Sequence, residues 1–337
     1  MMYESILTNY YDVKPEGKLQ TKGYDSYYAQ GKLYTVVTVT NVEEEVLIEL
    51  YEMSEQLKRT GDGLVSTFLL SKEETFLITH KEVDYVVLVR NRIDWPSINR
   101  TGRKLAKFHM RGRAIERQID RMSRMGLWKD LWEKRLLQME KVWTEQSTVL
   151  HDNEFDQTFV QTFPYFLGVA ENAIQYVVDT ELDEEPDEED AGTICHDRFY
   201  PGMWDGEGSL KIPFDWVFDH ATRDLAEWIR WTYEEKQRAG IPDIQRFLRD
   251  YQTVQPLTPF SWRMLYGRLL FPLHYMECVE KYYLSGHDGI KRGLGDQLPT
   301  IVKHTREYER FLDAFYQIAE APVSQAGLPS VNWLTLS

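Results

Sequence analysis

The chain has 337 residues, 42% of them hydrophobic, which is enough for one large or two ordinary domains with buried cores. Its 39 basic and 54 acidic residues give a net charge of −15, which argues against nucleic acid as the main partner because phosphate backbones require a basic surface. Two cysteines, Cys195 and Cys278, cannot build a disulfide framework and favour a reducing compartment. No secretory signal precedes the first strand, and no apolar run approaches the roughly 20 residues of a membrane span, so we expect cytoplasmic synthesis and no membrane span.

The first ninety residues alternate between strand and helix patterns. Residues 33–40 are rich in β-branched side chains and predict a strand. Apolar residues then recur at helical spacing over residues 42–59. Three further strands are predicted, the last two as a hairpin, at residues 65–71, 75–79 and 85–90. We therefore expect a small α+β domain over residues 1–94.

From about residue 95 the pattern is mainly helical. One helix is predicted to contain Leu105, Phe108 and His109. A second helix is predicted over residues 127–143. A third helix is predicted over residues 155–178, interrupted near Pro164. Later helices are predicted at residues 223–238, 243–251, 260–283 and 301–319. The second predicted domain is thus a helical one over residues 95–337.

Two features interrupt this helical domain. Residues 179–190 carry nine acids in twelve positions, which predicts a solvated or disordered linker. A short β-hairpin is predicted at about residues 193–214, with strands at 193–195 and 210–214 and a Gly-bearing turn at 205–208. Arginines at spacings of four, four and three are predicted to share one solvated helix face, with an anion or acidic-partner patch as the alternative: Arg113, Arg117, Arg121 and Arg124.

Four segments in chain order resemble one superfamily. Residues 102–109 (GRKLAKFH) resemble the L-A-x-F-H helix that opens the large lobe of aminoglycoside and choline kinase-like proteins, and residues 194–196 (ICH) resemble the entry to their catalytic loop. Residues 212–216 (IPFDW) with 223–226 (RDLA) resemble their I-D-F-D-Y…D-L-A segment, and residues 270–272 with 282–283 look like the late helix of the spore-coat branch. The chain is identified as a degenerate member of the spore-coat-associated kinase-like family. The resemblance implies a two-lobed, protein-kinase-like α+β fold with a small β-rich N-lobe and a large helical C-lobe.

In active relatives a strand lysine, a helix glutamate, a catalytic-loop aspartate and an Asn/Asp pair that binds Mg²⁺ carry out phosphoryl transfer. The loop normally reads H-G-D-x-x-P-G-N, and this chain keeps His196, Pro201 and Gly202. Arg198 aligns with the aspartate base, and Met203 aligns with the metal-binding asparagine. By the resemblance, the loop has kept its frame and lost its reacting groups.

The other catalytic positions are also changed. Pro213 aligns with the second metal-binding aspartate, and no lysine lies near Val36 or Val37, where the strand lysine belongs. Without that lysine, the glutamates at 43, 44 and 45 are interpreted as a favourable first-turn charge cluster. His196 is expected to be a hydrogen-bonded core histidine, and the resemblance gives Asp224 the role of anchoring the catalytic-loop backbone.

These losses favour a catalytically inactive pseudokinase that serves binding or coat assembly, with spore-coat proteins as partners and no cofactor. The resemblance implies synthesis in the mother cell followed by association with the spore coat. The alternative is an active ATP- and Mg²⁺-dependent phosphotransferase acting on a small hydroxyl compound or a coat protein. In that case Asp197 would serve as a displaced base and Asp215 as the metal ligand. A third hypothesis keeps nucleotide binding without turnover, as a switch.

Overall fold

A computed structural model describes residues 2–20, 23–91, 100–150, 153–204 and 210–329. The chain groups into two compact units, one formed by Met1–Arg124 with Ala191–Pro256 and the other by Met125–Asp190 with Leu257–Ser337. The predicted domain boundary at residue 94 and the predicted turn at 205–208 lie outside the described residues. Within the described ranges no helix is both long and apolar enough to cross a membrane.

The first unit begins with an antiparallel sheet and two helices. The sheet has the order β1-β2-β3-β6-β4, and β5 pairs with β6. Its strands are β1 (Gly17–Gln20), β2 (Asp25–Ala29), β3 (Lys32–Val39), β4 (Thr67–Phe68), β5 (Leu77–His80) and β6 (Val83–Asn91), and its helices are α1 (Met2–Tyr11) and α2 (Glu44–Arg59). The predicted strand at 33–40 and helix at 42–59 are therefore found, whereas α1, β1 and β2 were not predicted.

Strand β3 lies inside the sheet, paired with β2 on one side and β6 on the other. Side chains alternate between the faces of a strand, so its β-branched residues can fill both faces. Tyr34 and Val36 join Ile6 and Leu7 of α1 in one buried cluster. Val37 is also buried and lies on the other face by this alternation.

The rest of the first unit contains three longer helices, one hairpin and irregular segments between them. The helices are α3 (Thr101–Arg113), α6 (Thr222–Lys236) and α7 (Ile241–Gln252), and the hairpin consists of β7 (Thr193–His196) and β8 (Trp216–Asp219). The predicted second strand at 210–214 is wrong. Pro213 has no N–H to donate and begins a short 3-10 helix, Pro213–Asp215, so pairing with β7 starts only at Trp216.

The predicted helix face of four arginines is also wrong, because α3 ends at Arg113 and residues 114–127 are not helical. The buried Glu49 of α2 explains this. Its carboxylate accepts hydrogen bonds at 2.8–3.0 Å from the backbone N–H groups of residues 120, 121 and 122. Those N–H groups therefore cannot donate within a helix.

The second unit contains the remaining helices. They are α4 (Trp128–Ser147), α5 (Glu154–Asp183), α8 (Pro259–Leu270), α9 (Leu273–Leu284), α10 (Asp288–Asp313), α11 (Phe315–Ile318) and α12 (Val323–Ala326). The single helix predicted over 260–283 is two helices, because the chain is extended at Phe271 before Pro272.

Helix α5 continues through Pro164, where an interruption was predicted. A proline cannot donate to the carbonyl four residues earlier, which here belongs to Val160. The indole N–H of Trp143 on α4 donates to that carbonyl at 3.0 Å. The helix therefore keeps its course because a neighbouring side chain replaces the missing donor.

The acidic segment, residues 179–190, was predicted as a linker but is ordered at both ends. Its first residues complete α5, and its last three form a 3-10 helix. Asp190 is buried and accepts hydrogen bonds from the hydroxyls of Thr258 (2.7 Å) and Ser261 (2.5 Å). Arg263 pairs with two carboxylates at the end of α5, at 3.0 and 3.1 Å. Paired and buried charges fix these ends, which composition alone could not reveal.

Candidate functional site

The base of the candidate site is a buried network around Asp224, in the first turn of α6. One carboxylate oxygen of Asp224 accepts from the backbone N–H of His196 at 2.8 Å. The other oxygen lies 2.7 Å from His196 Nδ1 and 3.1 Å from His109 Nε2. Tyr251 completes the network, with its hydroxyl 2.9 Å from His109 Nδ1. This network fixes the start of the loop that follows β7.

Burial and charge act against each other in this network. Burial alone would raise the pKa of Asp224, but interaction with His196 and hydrogen bonds from both histidines hold it well below its usual range. Burial lowers the pKa of His109, although its bond to Asp224 opposes that shift. His196 Nε2 is buried without a hydrogen-bond partner in the described part of the chain, and its ring stacks on Phe108 at 5.0 Å. These are features of a rigid internal frame.

Arg223, the neighbour of Asp224, holds the start of the loop from the other side. Its Nε donates to the carbonyl of His196 at 2.9 Å, and one terminal nitrogen lies 2.9 Å from the carboxylate of Asp219. The other terminal nitrogen lies 3.1 Å from the carboxylate of Asp197. Burial would lower the pKa of Arg223, but Asp219 and Asp197 raise it above its usual value. Asp197 is therefore one end of a salt-bridge chain, and its side chain is 64% exposed.

The rest of the loop carries the two substituted positions. Tyr200 to Met203 form a turn in which the N–H of Met203 donates to the carbonyl of Tyr200 at 3.2 Å. Gly202 has φ = 84°, which is typical of the third residue of a type II turn after proline. Arg198 is 38% exposed and donates to the carbonyl of Asp197 at 2.8 Å. The turn keeps its shape, while an arginine and a thioether stand at the aligned base and asparagine positions.

Asp215 ends the short 3-10 helix that Pro213 begins. Its backbone carbonyl accepts from the N–H of Asp197 at 2.8 Å, so the two aspartates are neighbours across the start of the hairpin. Tyr24, just before β2, donates its hydroxyl to the Asp215 carboxylate at 2.6 Å. Burial raises the pKa of Asp215, and the bond from Tyr24 opposes that rise. The end of the connection between β1 and β2 therefore contacts the carboxylate of Asp215.

Strand β3 presents no lysine beside the site. Val36 lies in the cluster with α1, Val37 lies on the opposite face, and Lys32 stands exposed at the first position of the strand. The three glutamates at 43–45 are exposed at the start of α2. Glu49, which the sequence reasoning missed, is the buried acid of that helix, and its carboxylate is occupied by backbone N–H groups.

A second residue missed by sequence reasoning is Lys211. Its ammonium lies 2.5 Å from the buried carboxylate of Asp62 and 4.3 Å from the ring centroid of Trp204. Burial lowers the pKa of Lys211, and Asp62 partly opposes that shift. The backbone carbonyl of Lys211 also accepts from the N–H of Ser66 at 3.0 Å. This buried pair fixes the segment before Pro213. No local pattern marks it, because Asp62 lies 149 residues away.

The residues present fit a Mg²⁺–nucleotide site poorly. Such a site needs oxygen ligands that are free to meet the ion, together with a cation for the phosphates. The aligned ligand positions hold Met203 and Pro213, neither of which offers a side-chain oxygen. Asp215 already accepts from Tyr24, and Asp197 is paired with Arg223.

The sheet with its helix α2, the hairpin β7–β8 and the loop between them define the aminoglycoside phosphotransferase-like class of kinase folds. The structure is similar to an aminoglycoside phosphotransferase from Alicyclobacillus acidocaldarius, with a TM-score of 0.65 at 15% identity over 91% of this chain and 93% of that one. It is also similar to a microcompartment-associated aminopropanol kinase, with a TM-score of 0.59 at 13% identity over 97% and 99% of the two chains. A third similar structure is spectinomycin phosphotransferase, with a TM-score of 0.56 at 14% identity over 95% and 97%. These likenesses show the fold.

The chain belongs to the family described as "Spore coat putative kinase YutH", whose sequence profile matches residues 4–315. It is 40% identical over 314 residues to the endospore coat-associated protein YutH of Bacillus subtilis (strain 168), covering 92% of this chain and 91% of that one. The family and fold expected from the sequence are thereby confirmed.

Proposed function

We propose that this chain is a non-catalytic, kinase-fold protein of the spore coat whose role is binding or assembly with coat proteins. A relative that is 40% identical is named an endospore coat-associated protein, and the matching family carries the same association. By the same proposal the chain is made in the mother cell and then joins the coat. It needs no cofactor for this role.

The observation that carries the proposal is the hydrogen bond from Tyr24 to Asp215, at 2.6 Å. Asp215 lies two residues after the lost metal position at Pro213, in the same short 3-10 helix. A bound Mg²⁺ would need an ionised, accessible carboxylate there. Burial instead raises the pKa of Asp215, and the tyrosine takes one of its oxygens.

The second support comes from the candidate base. A general base must be free to take the proton of a substrate hydroxyl. Asp197 shares its carboxylate with Arg223 at 3.1 Å, and Arg198 lies 3.9 Å away. The carboxylate of Asp197 is therefore already engaged by one guanidinium group and has a second close by.

The test is nucleotide binding and turnover by the intact protein. Thermal unfolding is measured with and without ATP and Mg²⁺, beside an active aminoglycoside phosphotransferase as the positive control. A ligand at 100 times its Kd would stabilise the fold by about 2.7 kcal/mol. We expect no shift and no ATP hydrolysis. Mg²⁺-dependent turnover that Asp215→Ala abolishes would overturn the proposal, whereas a shift without turnover would add nucleotide binding to a non-catalytic role.

One observation favours the alternative, an active phosphotransferase on a small hydroxyl compound or a coat protein. The backbone bond between Asp197 and Asp215 brings two acids together at the hairpin, and Asp197 is largely exposed. If Asp197 were the base and Asp215 the metal ligand, Asp197→Asn and Asp215→Asn would each abolish turnover. Glu185→Gln, an exposed acid of the second unit, is the matched control.

A further inference from the structure

Charge is divided unevenly along this acidic chain. Between Asp94 and Glu116 it has six lysines and arginines and no acid, whereas between Lys141 and Arg198 it has no lysine or arginine at all. Two copies of a chain with net charge −15 repel each other at long range. A specific contact between copies would therefore need surfaces of opposite charge, and these two stretches supply them.

The basic stretch forms one face of α3. Arg100, at the helix cap, and Arg103, Lys104 and Lys107 recur at spacings of three, one and three, so they lie on the same face. We call these four residues the basic stripe. Arg100, Arg103 and Lys107 are exposed, and within the described ranges Arg103 and Lys107 form no ion pair. Met110 continues this face one turn further and is 52% exposed.

The acidic stretch is most exposed between the end of α5 and the following 3-10 helix. We call residues 181–189 the acidic ridge. Its central acids are exposed, and within the described part of the chain Glu185 and Glu188 form no ion pair. Leu182 lies among them and is 78% exposed. The ridge is held in place by the buried Asp190 and by Arg263, so it presents a defined surface.

We propose that the basic stripe of one copy binds the acidic ridge of a second copy, with Met110 and Leu182 as an apolar contact beside these charges. Each copy carries both surfaces, so two copies can close into a pair through two such contacts related by a twofold axis, or several copies can join into a ring or a growing chain. The inference names a partner for the proposed assembly role and does not depend on whether ATP binds. Complementary charges also make the contact weaken as salt rises.

The test is a charge exchange. The stripe variant carries Arg103→Glu and Lys107→Glu, and the ridge variant carries Glu185→Lys and Glu188→Lys. All four positions are exposed and form no ion pair within the described part of the chain, so both variants should remain as stable as the wild type. Self-association of the full chain is followed by sedimentation velocity across protein concentration and salt.

We expect the wild type to self-associate at low salt, and each variant alone to lose this by about tenfold or more because it sets like charges opposite each other. Mixing the two variants restores opposite charges at both contacts and should restore association. A wild type that stays monomeric would overturn the inference, as would variants that assemble like the wild type. A mixture that stays monomeric would do the same. None of these outcomes bears on the nucleotide test, so the two proposals fail separately.

Discussion

Gly102 offers a sharp test of how α3 is positioned. It is the second residue of α3, and a Cβ added there would lie 2.1 Å from the carbonyl oxygen of Phe247 on α7 and 3.0 Å from the backbone nitrogen of Tyr251. An ordinary contact between such atoms needs about 3.5 Å. Because both neighbours are backbone atoms, Gly102→Ala must push α3 and α7 apart by about 1 Å.

The expected sign is opposite to that of helix propensity. Alanine in place of glycine stabilises a helix by at most about 1 kcal/mol. Overpacking a close contact costs about 1–3 kcal/mol or more. Gly102→Ala should therefore lower the free energy of unfolding by about 1–2 kcal/mol. It should also weaken the bond between Tyr251 and His109, because α7 carries the tyrosine.

Gly293 is the matched control, since it is exposed within α10 and a Cβ there would meet nothing within 4 Å. Gly293→Ala should raise the free energy of unfolding by up to about 1 kcal/mol. Urea unfolding followed by circular dichroism measures both variants, with the slopes compared to detect changes in the denatured state. If Gly102→Ala proved as stable as Gly293→Ala, the close approach of α3 and α7 would be refuted.

Three further outcomes follow from buried polar groups. Asp224→Asn should lower the free energy of unfolding by about 3 kcal/mol, because two histidines and a backbone N–H lose their charged acceptor. Unfolding in guanidinium chloride measures this change, and an unchanged midpoint would contradict it. Trp143→Phe should cost about 1–2 kcal/mol in the same assay, because it leaves the Val160 carbonyl without a donor, and a neutral effect would mean that another group pairs with that carbonyl. Burial lowers the pKa of His109 in the folded protein, so as the pH falls this imidazole is protonated first in the unfolded chain. The stability contributed by neutral His109 is therefore present above about pH 6.5 and is lost as the pH falls below that value. Urea unfolding at about pH 7.5 and about pH 5.5 should therefore differ more for the wild type than for His109→Gln.

Long periodic patterns were sufficient to predict much of the fold. Strand β3 and helix α2 have eight and sixteen residues, so the β-branched run and the helical spacing are both well sampled. Strands β1 and β2 have only four and five residues, too few for a period to stand out. The course of α5 through Pro164 depends on a donor from Trp143, which local sequence cannot show.

For the candidate site, too, some residues could be predicted from the sequence and others could not. Motif order was enough to find His196 and Asp224, which lie within 28 residues of each other and belong to one recurring pattern. Tyr24 contacts Asp215 from 191 residues away, and no motif includes it. The contact of Arg223 with Asp197 depends on how the hairpin meets α6. The sequence could therefore identify the changed positions. It could not identify the side chains that bind the carboxylates of Asp197 and Asp215.

Energetics explain why the loop can keep its frame while its reacting positions change. His196, His109 and Asp224 are fully buried and joined by charged hydrogen bonds, so losing the aspartate costs several kcal/mol, a large part of a domain's stability. Arg198 is partly exposed, and changes at such positions usually alter stability by less than about 0.5 kcal/mol. A chain with no need for phosphoryl transfer could thus exchange the base at little cost to its stability, whereas exchanging the buried frame would cost several kcal/mol. The H-x-x-x-x-P-G frame is therefore a marker of the fold. The reaction has to be judged from Asp197 and Asp215, whose carboxylates are held by Arg223 and Tyr24.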